Sequence, residues 1–575
     1  MSNNIARPIH TSIQEWEEAG RSLSTAATRY LELSLTLGQK ASLGNVSPTH
    51  LATWIDSSIC SLRVDIAHKV SQAQSTLARE RNRILSPISQ FPEEILSEIF
   101  GHVITAPPSL TGEHQNIMEQ GLVNMYRRLH TLLEVCSVWR KIALNRSRFW
   151  SFIPIVNTLS RNRLWQTAQY TRIIQSHLKR AGMGGLHLAV TQSCDPRFLS
   201  SLGDYASRFR TVNVDAGQST ISAIMDMFFY QRSSEPLTLS QLSLRQMRDN
   251  AYFENSANGT EYLFAPSSQE QRSFTQLVKN LCVLRISVAK LHWDQILFSH
   301  RLVELNVQNV LFGYDSALTV FFNALSSATE LRDLKLMSIR TLYDLALDTE
   351  TRLPAVPTVY LPTLQSLTIH NLYYNTLNFF FSSVDPRCLH GLKLVLNDKC
   401  HSLHLPESVD ALDDDEFDFS TLLGGIPFEN VFIDGPRGNN DHWLLPSELG
   451  SLMNSVSTLK VLHLHSLNLD EEYCEAMKNP NHPQDSNFAR LTELYLTWIS
   501  IPDKAAFKAM ITSHSGSLRY LEMGGDARDS PEGPRTGLEE DEEFIAWLKD
   551  NVPKFRLREE RYYPPQCREP EWQLW

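Results

Sequence analysis

The chain has 575 residues, 64 acidic and 53 basic for a net charge of −11, and is 42% hydrophobic against 20% charged. That composition is globular, the length suggests about two to four units, and the mild acidity argues against a broad nucleic-acid-binding face. No apolar run is long enough to span a bilayer, the start MSNNIARPIHTS lacks the apolar core of a secretory signal, and the eight cysteines, no two closer than 12 residues, fit neither a disulfide framework nor a zinc site.

Residues 1–83 read as a helical arm. Trp16, Leu23, Tyr30 and Leu37 recur every seven residues, with Ala19, Ala26 and Leu33 three places after the first three, so they form an a/d seam. Gly38, Gly44, Asn45 and Pro48 break the pattern, and Ile55, Ile59, Leu62, Ile66, Ala73 and Leu77 form a second, weaker seam. Two antiparallel helices joined by a loop at 42–48 would bury both seams. A dimerising coiled coil fits the same residues, but each seam spans only about three heptads, which favours a hairpin packed on its own chain.

Residues 84–153 come next. In Phe91-Pro92-Glu93-Glu94-Ile95-Leu96-Ser97-Glu98-Ile99-Phe100, Pro92 suits the first turn of a helix and the two glutamates complement its dipole. Ile95, Leu96, Ile99, Phe100 and Val103 form an apolar stripe. A second amphipathic helix follows in Val135-Cys136-Ser137-Val138-Trp139-Arg140-Lys141-Ile142-Ala143, trailed by Phe149 and Trp150. Between them a loop at about 105–125 contains Pro107, Pro108 and Gly112. The two helices carry more apolar surface than so small a unit can bury by itself.

After a helical linker at 154–182, the pattern apolar-x-x-apolar-x-apolar returns twelve times between residues 183 and 530, in steps of 21 to 42 residues. Clear copies include Leu302-Leu305-Val307, Leu331-Leu334-Leu336, Leu364-Leu367-Ile369, Leu459-Leu462-Leu464 and Leu491-Leu494-Leu496. Each predicts a short strand whose alternate residues point into a core, and helix-like stretches such as Leu318–Leu325 and Ala505–Ile511 lie between them. A strand plus a helix cannot bury its apolar face alone, so the turns must stack, and the steps resemble those of leucine-rich repeats. The expected fold is an α/β solenoid, an irregular leucine-rich-repeat horseshoe, behind an all-α segment and the helical arm. Polar inserts are expected at 245–275 and 397–427, the latter with Asp413–Glu416, and 531–575 reads as an acidic C-terminal cap or tail.

No phosphate-binding, metalloprotease or nucleophile-elbow motif is present, so no catalytic residue and no enzyme activity are expected. The histidine pairs His401/His404 and His463/His465 invite a metal, but no third ligand is in register. His463 and His465 alternate with inward leucines and are expected to face outward. With Tyr495 and Trp498 they are candidate contacts for a partner.

The order Pro-Glu-Glu-Ile-Leu-x-x-Ile-Phe then Val-Cys-x-x-Trp-Arg-x-Ile-Ala, with a trailing Trp, resembles the F-box motif. With the arm in front and the repeats behind, the layout resembles the F-box-like proteins of mushroom-class (basidiomycete) fungi. The motif covers about 70 residues, and the wider layout covers most of the chain. Phe91 stands where that family usually has Leu, and Pro92 and Trp139 lie 47 positions apart, about 20 more than the compact motif. The resemblance implies binding to a Skp-type adaptor, and through it a cullin, by Pro92, Ile95, Leu96, Ile99, Val135 and Trp139. It makes the expected function that of a substrate receptor in an SCF-type ubiquitin ligase, with an unknown target on the repeats. The alternative is a non-catalytic leucine-rich-repeat scaffold whose F-box-like segment is only a structural cap. Either way the expectation is an intracellular protein, cytoplasmic or nuclear, with no nucleic acid, membrane, cofactor or metal partner.

Overall fold

The computed structural model describes every residue except 1–5, 42–46, 107–116, 157–162, 192–198, 200, 231–235, 248–261, 345–357, 390, 407–421, 425, 436–442, 481–487, 529–535, 561, 563 and 565–575. Pro107, Pro108, Gly112 and Asp413–Glu416 lie outside the described residues. The chain divides into two compact units, Met1–Leu96 and Ser97–Trp575.

The first unit is helical. α1 (Ala6–Ala41) runs through Gly38, and α2 (Pro48–Leu85) starts with Pro at its first position, where the missing N–H costs nothing. The expected burial of the two seams does not occur. Trp16, Leu23, Tyr30, Leu33 and Leu37 on α1, and Ile59, Leu62, Ile66 and Leu77 on α2, are all exposed. The heptad pattern sets which residues share a face, but about three heptads of intrachain contact do not decide what that face meets.

The second unit contains a fifteen-stranded sheet. Its strands and those of a smaller sheet are, in chain order, β1 (Phe152–Ile155), β2 (Leu186–Val190), β3 (Phe209–Ala216), β4 (Gln241–Gln246), β5 (Val283–Ser287), β6 (Glu304–Gln308), β7 (Leu311–Tyr314), β8 (Asp333–Met337) and β9 (Arg340–Leu342). Then come β10 (Ser366–His370), β11 (Leu392–Leu396), β12 (Asn430–Asp434), β13 (Val461–His465), β14 (Glu493–Ile501), β15 (Tyr520–Ala527), β16 (Thr536–Gly537) and β17 (Lys554–Leu557). All twelve repeats read from the sequence are strands here: β2–β6, β8 and β10–β15. From β1 to β15 each strand of the large sheet pairs in parallel with the next in chain order.

The register stacks like on like. Leu242, Leu284, Leu305, Leu334 and Leu367 stand side by side in five successive strands, all essentially without solvent contact. Helices between the strands, among them Ala317–Leu325 and Tyr374–Ser383, close the other side of this core. They contribute Phe321, Phe322 and Phe380, and Phe321 packs edge-on against Trp293 at 5.2 Å. Apolar burial on this scale contributes about 25 cal/mol for each Å² removed from water, which is why the aromatic layer matters.

A second repeating device marks six of the strands, five of them at their ends. Val288, Asn309, Ser338, Asn371, Ser466 and Trp498 each follow the inner leucine of their strand by four residues, and all have φ between 49° and 65°. In the first five the left-handed residue directly follows the strand and turns the chain off the sheet, whereas Trp498 lies within β14, where the register against β15 shifts. Asparagine tolerates this conformation best among non-glycine residues. Asn371 also donates to Ser338 Oγ at 2.9 Å and accepts from Asn397 at 2.7 Å, linking three successive turns.

Several boundaries differ from the sequence reading. The large sheet starts earlier, at β1, and ends later, at β17, than the expected limits of 183 and 530. Residues 117–125, expected in a loop, form the first turns of a helix with Met118 and Leu122 buried. The insert expected at 245–275 ends in a helix, Gln269–Val278, and the acidic stretch Glu539–Glu543 leads into a helix at Glu542–Asn551. There Asp541 accepts from the Phe544 N–H at 3.1 Å and pairs with Lys504, so the negative charge serves the helix N-terminus.

The strained turn residue makes a prediction. A β-branched side chain at φ 65° is disfavoured at Val288, whereas Asn309 already fits its turn. Val288→Asn should raise stability by about 1 kcal/mol and Asn309→Val should lower it by about as much. Urea denaturation of the two variants checks both signs, and a Val288→Asn variant less stable than wild type would contradict the reading.

Candidate functional site

α3 (Glu93–Thr105) begins after Pro92, whose carbonyl accepts the first helical hydrogen bond from Leu96 N–H at 3.1 Å. Glu93 and Glu94 fill the first turn, where carboxylates offset the positive end of the helix. The helix carries two apolar stripes at four-residue spacing. Leu96, Phe100 and Ile104 are buried, each at 3% exposure or less. On the adjacent stripe Ile95 is 47% exposed, Ile99 is half-buried and Val103 is exposed. Phe91 and Pro92, just ahead, are exposed too.

α4 (Ile117–Val135) ends where α5 (Ser137–Asn145) begins. Cys136 caps α5, its sulfur accepting from the Trp139 N–H at 3.5 Å. Trp139 is half-buried and packs on Phe100 of α3, the rings 4.7 Å apart and tilted by 51°. Val135 and Val138, within one turn of Trp139, are exposed at 52% and 48%, while Ile142 and Ala143 further along are buried. Exposed branched apolar side chains beside a buried ring contact are what an interaction surface leaves uncovered.

The helices are held by contacts between residues far apart in sequence, which have no local signature. Arg148 donates to both carboxylate oxygens of Glu98, at 2.8 and 3.1 Å, and to the Ser97 carbonyl at 3.2 Å. This guanidinium holds the Glu98 carboxyl below the usual range. It also lies across Gly101, where an added Cβ would run into it. Trp150 is buried, donates from Nε1 to the Ala143 carbonyl at 2.8 Å, and has the Arg180 guanidinium 4.4 Å above its ring. Tyr126 on α4 donates to the Phe152 carbonyl of β1 at 3.0 Å, which ties the helices to the first strand of the sheet. An open cleft of about 270 Å³ beside Arg148 is lined by Glu98, His102, Phe149 and His187 among others, but its guanidinium and carboxylate already satisfy each other.

The structure thus places the expected site residues unequally. Pro92, Ile95 and Val135 are exposed, Ile99 and Trp139 are half-buried, and Leu96 is buried. Leu96 belongs to the packed stripe of α3 because it falls in register with Phe100 and Ile104.

On the sheet, His463 and His465 alternate with the inward leucines as expected, but they are buried rather than open to solvent. Parallel register sets equivalent side chains of neighbouring strands about 5 Å apart, so flat rings cover one another. His463 stacks on Tyr495 at 4.0 Å and 11°, and on Phe432 at 5.5 Å. His465 shares a 2.9 Å hydrogen bond with Thr497 Oγ1. Tyr495 is half-buried, and Trp498 alone of the four candidate contacts stays exposed, turned out where the register of β14 and β15 shifts. His401 and His404 do not act as a pair: the first faces Trp443 and Glu448, the second stacks on Tyr373 at 4.7 Å. Among the described residues no group of three or more potential ligands could hold a metal, and no helix is long and apolar enough to cross a membrane.

No known protein family matches this chain, and no curated protein matches it. Among solved structures it is similar to the leucine-rich repeat-containing protein LegL7 from Legionella pneumophila, at 10% identity and a TM-score of 0.28, over 70% of this chain and 98% of that one. It is also similar to a chain of the Rad7 and Elc1 complex in yeast, at 12% identity and a TM-score of 0.28, over 89% of this chain and 96% of that one.

Two buried histidines make the assembly sensitive to acid. His177, beside Trp150 at 4.9 Å, is lowered to about 4 by burial, with Arg180 adding to the effect. Burial likewise lowers His463 to about 4. The unfolded chain takes up these protons near pH 6.5, before the folded one does. The stabilisation by the neutral rings is therefore complete above pH 6.5 and is lost as the pH falls towards 4, on the order of 3 kcal/mol for each at the acid end. Urea midpoints measured between pH 7.5 and 4.5 should fall with pH, and less steeply in His177→Gln/His463→Gln. An unchanged slope in the double variant would contradict this assignment.

Proposed function

We propose that this chain is the substrate-receptor subunit of an SCF-type ubiquitin ligase. Residues 84–153 act as an F-box that docks on a Skp-type adaptor and, through it, on a cullin. The stacked strand–helix turns act as an irregular leucine-rich-repeat solenoid, an uneven horseshoe that holds a target protein. The work is intracellular, and the chain supplies proximity while other subunits supply the chemistry.

One observation carries this reading: the apolar residues of α3 and α5 are divided. Leu96, Phe100, Ile104, Ile142 and Ala143 are packed, whereas Ile95, Val103, Val135 and Val138 on the same two helices are left in solvent. A segment that served only as a cap would turn its larger apolar side chains onto what it covers. Phe149 and Trp150 behave in that way, and Tyr126 fastens the block to β1, so the segment both ends the sheet and keeps a face free. Pro92, Ile95, Ile99, Val135 and Trp139 are the adaptor contacts in this account, with the flat Trp139 ring held in place by Phe100. Leu96 is buried and does not itself touch the adaptor.

Full-length chain co-purified with a Skp-type adaptor, beside the Pro92→Ala/Ile95→Asp variant, tests the reading. The wild type should form a stable complex, and the variant should bind at least about 100-fold more weakly, as expected for the loss of a buried apolar anchor. A well-folded wild type with no affinity for the adaptor would leave the scaffold alternative standing.

A further inference from the structure

We propose that the N-terminal arm joins two copies of this chain through the seam of α1, and this rests on observations independent of the adaptor reading. α1 is 36 residues long, and its described side chains from Thr11 to Leu35 are exposed on every face. An isolated helix in water is marginal, because most helical stability comes from packing one apolar face. The α1 face that could be packed is explicit: Trp16, Ala19, Leu23, Ala26, Tyr30 and Leu33, with the large members exposed among the described residues.

The seam matches itself. Laid antiparallel on a second α1 about a two-fold axis between Leu23 and Ala26, it brings Trp16 opposite Leu33, Ala19 opposite Tyr30 and Leu23 opposite Ala26 of the second copy. Two of the three layers set a large side chain against an alanine, and one alignment satisfies all six positions, as an isologous interface requires. The positions beside the seam agree. Gly20 and Ala27 flank it on one side and allow close approach, while on the other Ser22 faces Arg29 and Glu15 faces Thr36. No like charges meet, and Glu17, Glu18, Arg21 and Glu32 all point away from the contact. The seam of α2 is less regular, since Lys69 and Thr76 interrupt it. A particle with two receptor arms would hold a bivalent target with an effective concentration that one copy cannot supply.

The test is the solution mass of the full chain by light scattering at micromolar concentration. Wild type should weigh twice the 65.6 kDa of one chain. Leu23→Glu, in the central layer, should weigh 65.6 kDa, while Thr25→Glu, on the outer face, should remain at twice that value. The unfolding transition of residues 97–575 should be the same in all three, so that loss of mass is not loss of fold. A wild type of any mass other than twice one chain, or a Leu23→Glu variant still at the wild-type mass, would overturn the proposal.

Discussion

The second unit depends on one constraint: no single strand–helix turn can bury its own apolar face, so every turn is completed by its neighbours. The side-by-side leucines of β4, β5, β6, β8 and β10 are the direct expression of this. Each is fully buried only because an equivalent residue flanks it on both sides. The same register explains the aromatic row on the sheet, where Phe432, His463 and Tyr495 shield one another and leave little imidazole for solvent or metal. It also explains why both ends carry special structure. At the start, α4 and Trp150 are fastened around β1, and at the finish a helix and β17 follow β15.

Much of this was legible because apolar spacing is a direct consequence of strand geometry. Twelve copies of one pattern predicted twelve strands, and all twelve are strands. β1 and β17 carry no leucine signature, because Phe152–Ile155 contains a proline and Lys554–Leu557 alternates with charge. The left-handed residue four places beyond the inner leucine of six repeats has only part of a signature in the sequence, Asn at 309 and 371 and Ser at 338 and 466, because Val288 and Trp498 are residue types that rarely take positive φ. The alternation of His463 with leucine sets its orientation but not its exposure, which depends on the rings that the neighbouring strands supply.

The candidate site divides along the same line. Helical spacing within α3 identifies Ile95, Leu96 and Ile99, but spacing alone does not say which of two adjacent stripes is buried, and that choice separates buried Leu96 from exposed Ile95. The pairing of Arg148 with Glu98, fifty residues apart in sequence, has no local signature. Gly101 has a role only once that guanidinium lies across it. The 47 positions between Pro92 and Trp139 looked like an inserted loop, and part of that length instead extends α4, whose Met118 and Leu122 enter the core.

The central claim is that the apolar face left open on α3 and α5 is the adaptor's seat. Hydrogen–deuterium exchange of the full chain, with and without a Skp-type adaptor, tests it most directly. The account predicts added protection confined to peptides covering residues 91–105 and 133–142, with the sheet strands unchanged. Protection that appears elsewhere while these two segments exchange as before would contradict it.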